Sequence, residues 1–222
     1  MIDIEKYDTF LFDLYGTLID LHTDEWAPRT WKKWLKWMDG KNIKHPDMIT
    51  FRREFFRMDR EFRETALRKG TFEVPEIDVI AIYEILFEKY GNKLSKEAIC
   101  EASWEFRKAS TAYIRLFPGT KEYLKKLRDN GKKVIILSNA QASYTEPEIK
   151  MFGLDKLVDD YFMSSDYKCM KPDVNFFGIA INKYKLDRSR TIMIGDSMPN
   201  DVEGAIKAGL SGFQIKSGDL FL

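Results

Sequence analysis

The chain has 222 residues and a mass of 26.1 kDa, room for one large domain or a core with a modest insertion, and its 44% hydrophobic content excludes disorder. Lys and Arg number 36 against 35 Asp and Glu, a net charge of +1 that excludes an overall basic field for nucleic acid and leaves only a local patch open. The start lacks the regions of a secretion signal, and no apolar run approaches the roughly 20 residues a bilayer needs, so the expectation is a soluble cytoplasmic protein without a membrane or nucleic-acid partner.

Thr9 to Phe12 is a short apolar run closed by a carboxylate, which predicts a buried strand with Asp13 at its C-terminal tip. Gly16 and Thr17 then mark a loop with a tight turn. From about Asp24 to Arg115 the spacing turns helical. Trp31, Trp34, Leu35 and Met38 recur at helical intervals, as do Met48, Phe51, Phe55, Met58 and Phe62, with Gly70 as a stop. Val79, Ile80, Tyr83, Leu86, Phe87 and Tyr90 predict a third helix ending at Gly91. Ser95 is the expected N-cap of a fourth, running through Ile99, Ala102, Phe106, Ala109 and Tyr113. Short connections predict a small bundle, whose aromatic stripe is expected to form its interior; Trp26, beside the hinge, is the best candidate for a pocket wall.

Beyond Phe117-Pro118-Gly119 helices alternate with short β-branched strands, the pattern of a parallel α/β sheet. Strands are expected at Val134 to Leu137, Tyr161 to Met163, Thr191 to Ile194 and Phe213 to Ile215. Helices are expected near Lys121 to Asn130, Glu146 to Phe152, Val174 to Tyr184 and Asp201 to Ala208, with Gly131, Gly153 and Gly209 at their ends. The lone N-terminal strand must join this sheet. The expected organisation is a core of residues 1–20 and 116–222 and an inserted cap of residues 21–115, connected by two short hinges. Cys100 and Cys169 have no Cys or His partner at metal-ligand spacing and are expected as reduced thiols.

Open parallel sheets bind ligands beyond the carboxyl ends of their strands. Four groups of polar residues fall there: Asp13; Ser138-Asn139; Lys171 in the loop after Tyr161 to Met163; and Gly195-Asp196, with Asp201 further on. A carboxylate nucleophile, a hydroxyl, an ammonium and two more carboxylates would converge. Any one of these alone has an ordinary explanation, such as Asp201 capping the helix it opens.

Together, Asp13-Leu14-Tyr15-Gly16-Thr17, Ser138-Asn139, Lys171-Pro172-Asp173 and Gly195-Asp196-Ser197 to Asp201 resemble the four ordered motifs of the haloacid dehalogenase superfamily. The resemblance covers the whole core and implies an α/β fold, with a Rossmann-like parallel sheet under an inserted four-helix-bundle cap. It implies a hydrolase, most simply a phosphatase acting on a small phosphorylated metabolite through an aspartyl-phosphate on Asp13.

Chemistry gives the same parts their reasons. A carboxylate can attack a phosphate monoester only if a cation neutralises the phosphoryl oxygens, and Mg2+ suits oxygen ligands. Asp13 and Asp196 are the natural direct ligands. The family's third protein ligand, a backbone carbonyl, would fall on Tyr15, with Asp201 holding a metal-bound water or orienting Lys171. Lys171 would pair with Asp13 and a phosphate oxygen, while Thr17, Ser138, Asn139 and nearby backbone N–H groups position the phosphate. Lone histidines such as His22 and His45 receive no role.

One position departs from the phosphatase pattern. Phosphatases of this family usually carry a second Asp two residues after the nucleophile as general acid and base; here it is Tyr15. A phenol, with a reference pKa near 10, is a poor base at neutral pH, so leaving groups that need little protonation, such as acyl or aryl phosphates, should suffer least. Tyrosine there is what haloacid dehalogenases carry, which makes a 2-haloacid dehalogenase-like hydrolase the alternative. Against it stand Asp196 where dehalogenases place a hydroxyl residue, only Arg29 before Phe51 to receive halide, and Phe177 where they carry tyrosine. A non-catalytic phosphate-binding regulatory module is the remaining reading.

Overall fold

A computed structural model of the chain describes residues 2–216; Met1 and residues 217–222, the two ends of the expected core, lie outside the described residues. In chain order the elements are β1 (Thr9–Phe12), β2 (Ile19–Thr23), α1 (Pro28–Gly40), α2 (Met48–Lys69), α3 (Val79–Lys89), α4 (Lys96–Ser110) and β3 (Thr111–Leu116). There follow α5 (Thr120–Asp129), β4 (Lys133–Ser138), α6 (Ala142–Phe152), β5 (Asp160–Met163), α7 (Ser164–Tyr167), α8 (Val174–Tyr184), β6 (Thr191–Gly195), α9 (Gly204–Lys207) and β7 (Ser211–Gln214).

The parallel sheet runs β5-β4-β1-β6-β7, so the N-terminal strand lies at its centre. Strand alternation buries both faces. Phe10, Phe12, Val134, Ile136, Ile192 and Ile194 feed one hydrophobic cluster, and Leu11, Ile135, Leu137 and Met193 feed the other. Phe12 is in register with Ile136 on one side and Ile194 on the other. That register brings Asp13, Ser138 and Asp196 to one edge of the sheet, at or just past the ends of three neighbouring strands.

Helices α1 to α4 bury a third cluster around Trp31, Trp34, Phe51, Tyr83, Phe87 and Phe106. Trp34 is fully buried, stacks on Phe51 with ring centres 5.4 Å apart, and donates its indole N–H to the Ala102 carbonyl at 2.8 Å. Asp47 and Ser95 cap α2 and α4 with their side chains, and Gly70 ends α2 in the left-handed region at φ 62°. Trp26 does not join the cluster's interior: it is 62% exposed and lies flat on Phe56 at 3.8 Å.

Two expectations need correction. The fourth helix stops at Ser110, and Tyr113 and Arg115 belong to β3, which pairs antiparallel with β2 where the sequence reading placed a loop. The alternation from Thr111 to Leu116 is stabilised by a partner strand at Ile19–Thr23, far away in sequence, which helical spacing cannot register. The helix expected from Asp201 begins earlier and wider: Met198–Glu203 is a π-helical turn in which Val202 N donates to Ser197 O at 3.4 Å, and only Gly204–Lys207 is α-helical. Phe213 does lie in the last strand, which spans Ser211–Gln214.

Candidate active site

Asp13 follows β1, its own N–H donating to the Ile194 carbonyl at 2.9 Å. After it the chain turns back on Leu14, whose carbonyl accepts from Leu18 N and Ile19 N at 2.8 and 2.9 Å. Gly16 makes this possible with φ 83°, and a β-carbon there would stand 2.6 Å from the Asp196 carboxylate. Gly195 is equally constrained, because a β-carbon on it would lie 2.1 Å from Asp201 Oδ2.

Lys171 joins the carboxylates. Its side chain is 1% exposed, and its Nζ donates to Asp13 Oδ1 at 2.7 Å and to Asp201 Oδ1 at 2.6 Å. Asp201 is also buried, and its second oxygen accepts from Ser197 N at 2.9 Å, the contact the π-helical turn makes room for. Asp196 is partly exposed. Carboxylate oxygens of Asp13, Asp196 and Asp201 lie within 4.8 Å of one another, a donor set suited to a hard divalent cation.

The electrostatics fit that placement. Burial, reinforced by Asp201 and Asp196 and opposed by Lys171, pushes Asp13 up to about 6. Asp196 is raised by burial and by Asp201. Burial would lower Lys171, but Asp13 and Asp201 outweigh it and hold the ammonium above its usual range. Three carboxylates share one ammonium, and the excess of negative charge is what a cation would relieve.

The remaining expected site residues separate into two groups. Ser138 is buried at the cleft wall, and its hydroxyl has no protein hydrogen-bond partner among the described residues. Asn139, expected among the phosphate donors, instead clamps the Lys171 main chain: Nδ2 donates to Lys171 O at 2.9 Å and Oδ1 accepts from Lys171 N at 2.7 Å. Thr17 is fully buried and aims its hydroxyl at Asp196 Oδ1 from 3.5 Å, at the outer limit of a hydrogen bond.

Tyr15 reaches the cleft with part of its surface, but its hydroxyl ends on α6, against Thr145 Oγ1 at 2.9 Å and in a short hydrogen bond to Glu148. Both partners are 1% exposed and neither walls the cleft. Glu148 in turn takes Arg107 of α4, whose Nε lies 2.7 Å from Oε1, and the guanidinium lies over the Tyr15 ring at 5.3 Å. Burial and the neighbouring Glu148 hold the phenol well above its usual range, despite the opposing Arg107.

A cleft of about 200 Å³ opens between these groups, walled by Asp13, Tyr15, Ser138, Asn139, Lys171, Asp196, Ser197, Asn200 and Asp201. Trp26 is not among these wall residues, and none of them lies in α1 to α4. Sequence reading did not single out Ser197, Asn200, Arg107 or Glu148. The first two lie inside the fourth motif and were legible by position. Glu148 had one signal: it shares an α6 face with Tyr144, Thr145 and Ile149, so a carboxylate sat on a stripe that faces the interior.

The family model for haloacid dehalogenase-like hydrolases matches residues 7–209. A glyceraldehyde 3-phosphate phosphatase of Methanothermobacter thermautotrophicus is 26% identical over 106 residues, 48% of this chain and 47% of that protein. The pyrimidine 5'-nucleotidase YjjG of Escherichia coli is 28% identical over 126 residues, 56% of this chain and 55% of that one. The chain thus spans about half the length of the curated relatives it matches. A 2-haloacid dehalogenase from Pseudomonas syringae pv. Tomato DC3000 shares the fold, with a TM-score of 0.63 at 18% identity over 94% of this chain and 86% of that one. Among the described residues no helix is long and apolar enough to cross a membrane. With four motif groups gathered at one edge of a parallel sheet and the family model matching nearly the whole chain, the protein belongs to the haloacid dehalogenase-like hydrolases.

Proposed function

We propose that this hydrolase is a Mg2+-dependent phosphatase that acts on a small phosphorylated metabolite through an aspartyl-phosphate on Asp13. The observation that carries the reading is Lys171, held between Asp13 and Asp201 with Asp196 completing a carboxylate cluster. Asp13, Asp196 and the Tyr15 carbonyl would hold the ion, with Asp201 behind them. When bound it would neutralise phosphoryl oxygens that otherwise repel a carboxylate.

The chain's own groups do the rest. Asp13 attacks phosphorus in line with the departing oxygen, and Lys171 fixes the attacking carboxylate and receives a phosphate oxygen. Ser138 offers its hydroxyl to another, and Asn139 keeps Lys171 in place through the main chain. Water then cleaves the acyl-phosphate and returns the carboxylate. The reading includes the division into a core of residues 1–20 and 116–222 and a cap of residues 21–115, which a hydrophobic cluster built mainly from α1 to α4 supports. Relatives named for phosphatase action on glyceraldehyde 3-phosphate and on pyrimidine 5'-nucleotides support a phosphate ester as substrate.

The test is phosphate release from p-nitrophenyl phosphate, whose leaving group needs little protonation. Turnover is expected with Mg2+, and its loss is expected with chelator and in Asp13→Asn. Turnover that survives Asp13→Asn would overturn the reading.

Tyr15 favours one other reading, a 2-haloacid dehalogenase. The arginines speak against it: Arg29 is exposed beside Asp24 at 3.9 Å, and Arg107 is committed to Glu148. Phe177, at the position of the dehalogenase tyrosine, is fully buried. Halide release from a 2-haloacid that persists in chelator would replace the phosphatase reading with this one.

A further inference from the structure

An insertion joined to its core by two connections suggests a lid that swings. The segment between α2 and α3 says otherwise. Pro75 forms an antiparallel bridge with Cys169, flanked by Met170 N to Val74 O at 3.0 Å and Glu76 N to Lys168 O at 2.9 Å. Asp173, with no exposed surface, accepts from Glu73 N and Val74 N at 2.8 and 3.2 Å. Gln141 closes the far end, accepting from Val79 N and donating to Ile77 O, both at 2.9 Å. Every partner lies beside a motif residue: Lys168, Met170 and Asp173 flank Lys171, and Gln141 follows Asn139 by two positions.

The anchor of this segment is a buried carboxylate that the chemistry does not use. Glu76 is 7% exposed; it accepts from Ser164 Oγ at 3.1 Å, from Ile77 N at 2.9 Å and from Arg63 Nη1 at 3.2 Å. A buried carboxylate is stable only while such donors surround it; Arg63 of α2 and Ile77 N hold it from the insertion's side, and the Ser164 bond ties it to the core.

We propose that residues 73–79 form a strap that makes the helical insertion a fixed part of the site, holding the loop that presents Lys171, with Glu76 as the positioning residue that anchors it. Swinging the insertion away would break the strap's main-chain bonds and expose the Glu76 carboxylate. The claim about Lys171 rests on the phosphatase reading; the claim about the strap does not.

Cys169 gives a direct measure, because it is 1% exposed directly under Pro75 and the chain's other cysteine is Cys100. In a Cys100→Ser background, labelling of Cys169 by a thiol reagent is expected to be as slow as global unfolding, and orthovanadate, a phosphate analogue, is expected to slow it no more than it slows global unfolding followed in parallel. Glu76→Ala is expected to speed labelling and to lower kcat on p-nitrophenyl phosphate by about 10- to 100-fold, the usual effect of losing a group that orients an active-site residue. Glu76→Gln, whose amide can still accept from Ile77 N and donate to Ser164 Oγ, is expected to restore both. Should Glu76→Ala fail to fold, Ser164→Ala removes one anchor bond and is read by the same two rates. Rapid labelling that orthovanadate slows would mean an opening lid and would overturn the proposal, as would fast labelling in Glu76→Ala with wild-type turnover. A parent chain without any turnover would fail the phosphatase reading, while the labelling comparison would still decide whether the strap is fixed.

Discussion

Lys171 and Asp13 are 158 residues apart in sequence and 2.7 Å apart in the fold, in a pair with almost no contact with water. Because Asp201 accepts from the same ammonium, removing that charge leaves a cluster of carboxylates facing one another. Lys171→Met is expected to lower phosphate release at least about 100-fold. It should also cost about 3–5 kcal/mol of stability in urea unfolding, the range for a buried charge deprived of its partner. Lys171→Arg is not expected to restore activity, since the larger guanidinium has no room at a fully buried position. Near-wild-type turnover in either variant would remove the ammonium from the mechanism.

Asp13 carries a signature in stability as well. Its carboxyl sits at about 6 in the folded chain against an ordinary 3.8, so the folded state binds this proton more tightly than the unfolded state. Stability from this group is therefore greatest at low pH and falls as pH rises from about 4 to about 6. A divalent cation competes with that proton. The rise in melting temperature on adding Mg2+ should accordingly be larger at pH 7 than at pH 4.5, with about 2.7 kcal/mol of stabilisation at one hundred times the dissociation constant. An equal shift at both values, or none at pH 7, would count against cation binding by these carboxylates.

Gly195 tests the geometry without replacing a charged group. In Gly195→Ala the new methyl group would press on Asp201 at 2.1 Å and must displace the carboxylate that orients Lys171. A fall in kcat of at least about tenfold is expected, from misplacement of a positioned group. Unchanged kinetics would show that Asp201 need not stay where it is.

Tyr15 separates structure from chemistry. Its hydroxyl is committed to Thr145 and Glu148, so Tyr15→Phe should destabilise the protein by about 1–3 kcal/mol through unmet hydrogen bonds. Turnover of p-nitrophenyl phosphate should change by no more than a few-fold. A loss of about 100-fold or more would make the phenol a participant in proton transfer.

The sheet and the motif residues were legible because both are local: β-branched runs closed by a polar residue announce a strand and its tip in a few positions. Asp13, Lys171 and Asp201 could be expected together because each lies in the connection that follows a strand. What escaped was set by partners distant in sequence. Thr111 to Leu116 looks helical until Ile19 to Thr23 lies beside it, and Asn139 looks like a ligand donor until the Lys171 main chain meets its amide. Glu76 and Glu148 escaped because a glutamate on a charged chain is ordinarily solvated, and only the fold reveals that these two are buried.

The β2–β3 pair also bears on how the chain folds. Asp20 and Arg115 meet across 95 residues, and closing so long a loop in an unstructured chain carries an entropic cost that grows with the logarithm of its length. Helices α1 to α4 bury most of their apolar surface on one another, with Trp34 reaching Ala102 across 68 residues, a shorter closure than the strands need, so the bundle can form before either strand finds its partner. Once they have, Asp24 N is delivered to Ser110 O at 2.9 Å, and β1 approaches β4 with the intervening chain already compact. A protein weakened within the bundle, such as Trp34→Ala, would then refold more slowly as well as unfold more readily, although the residue touches nothing in the sheet.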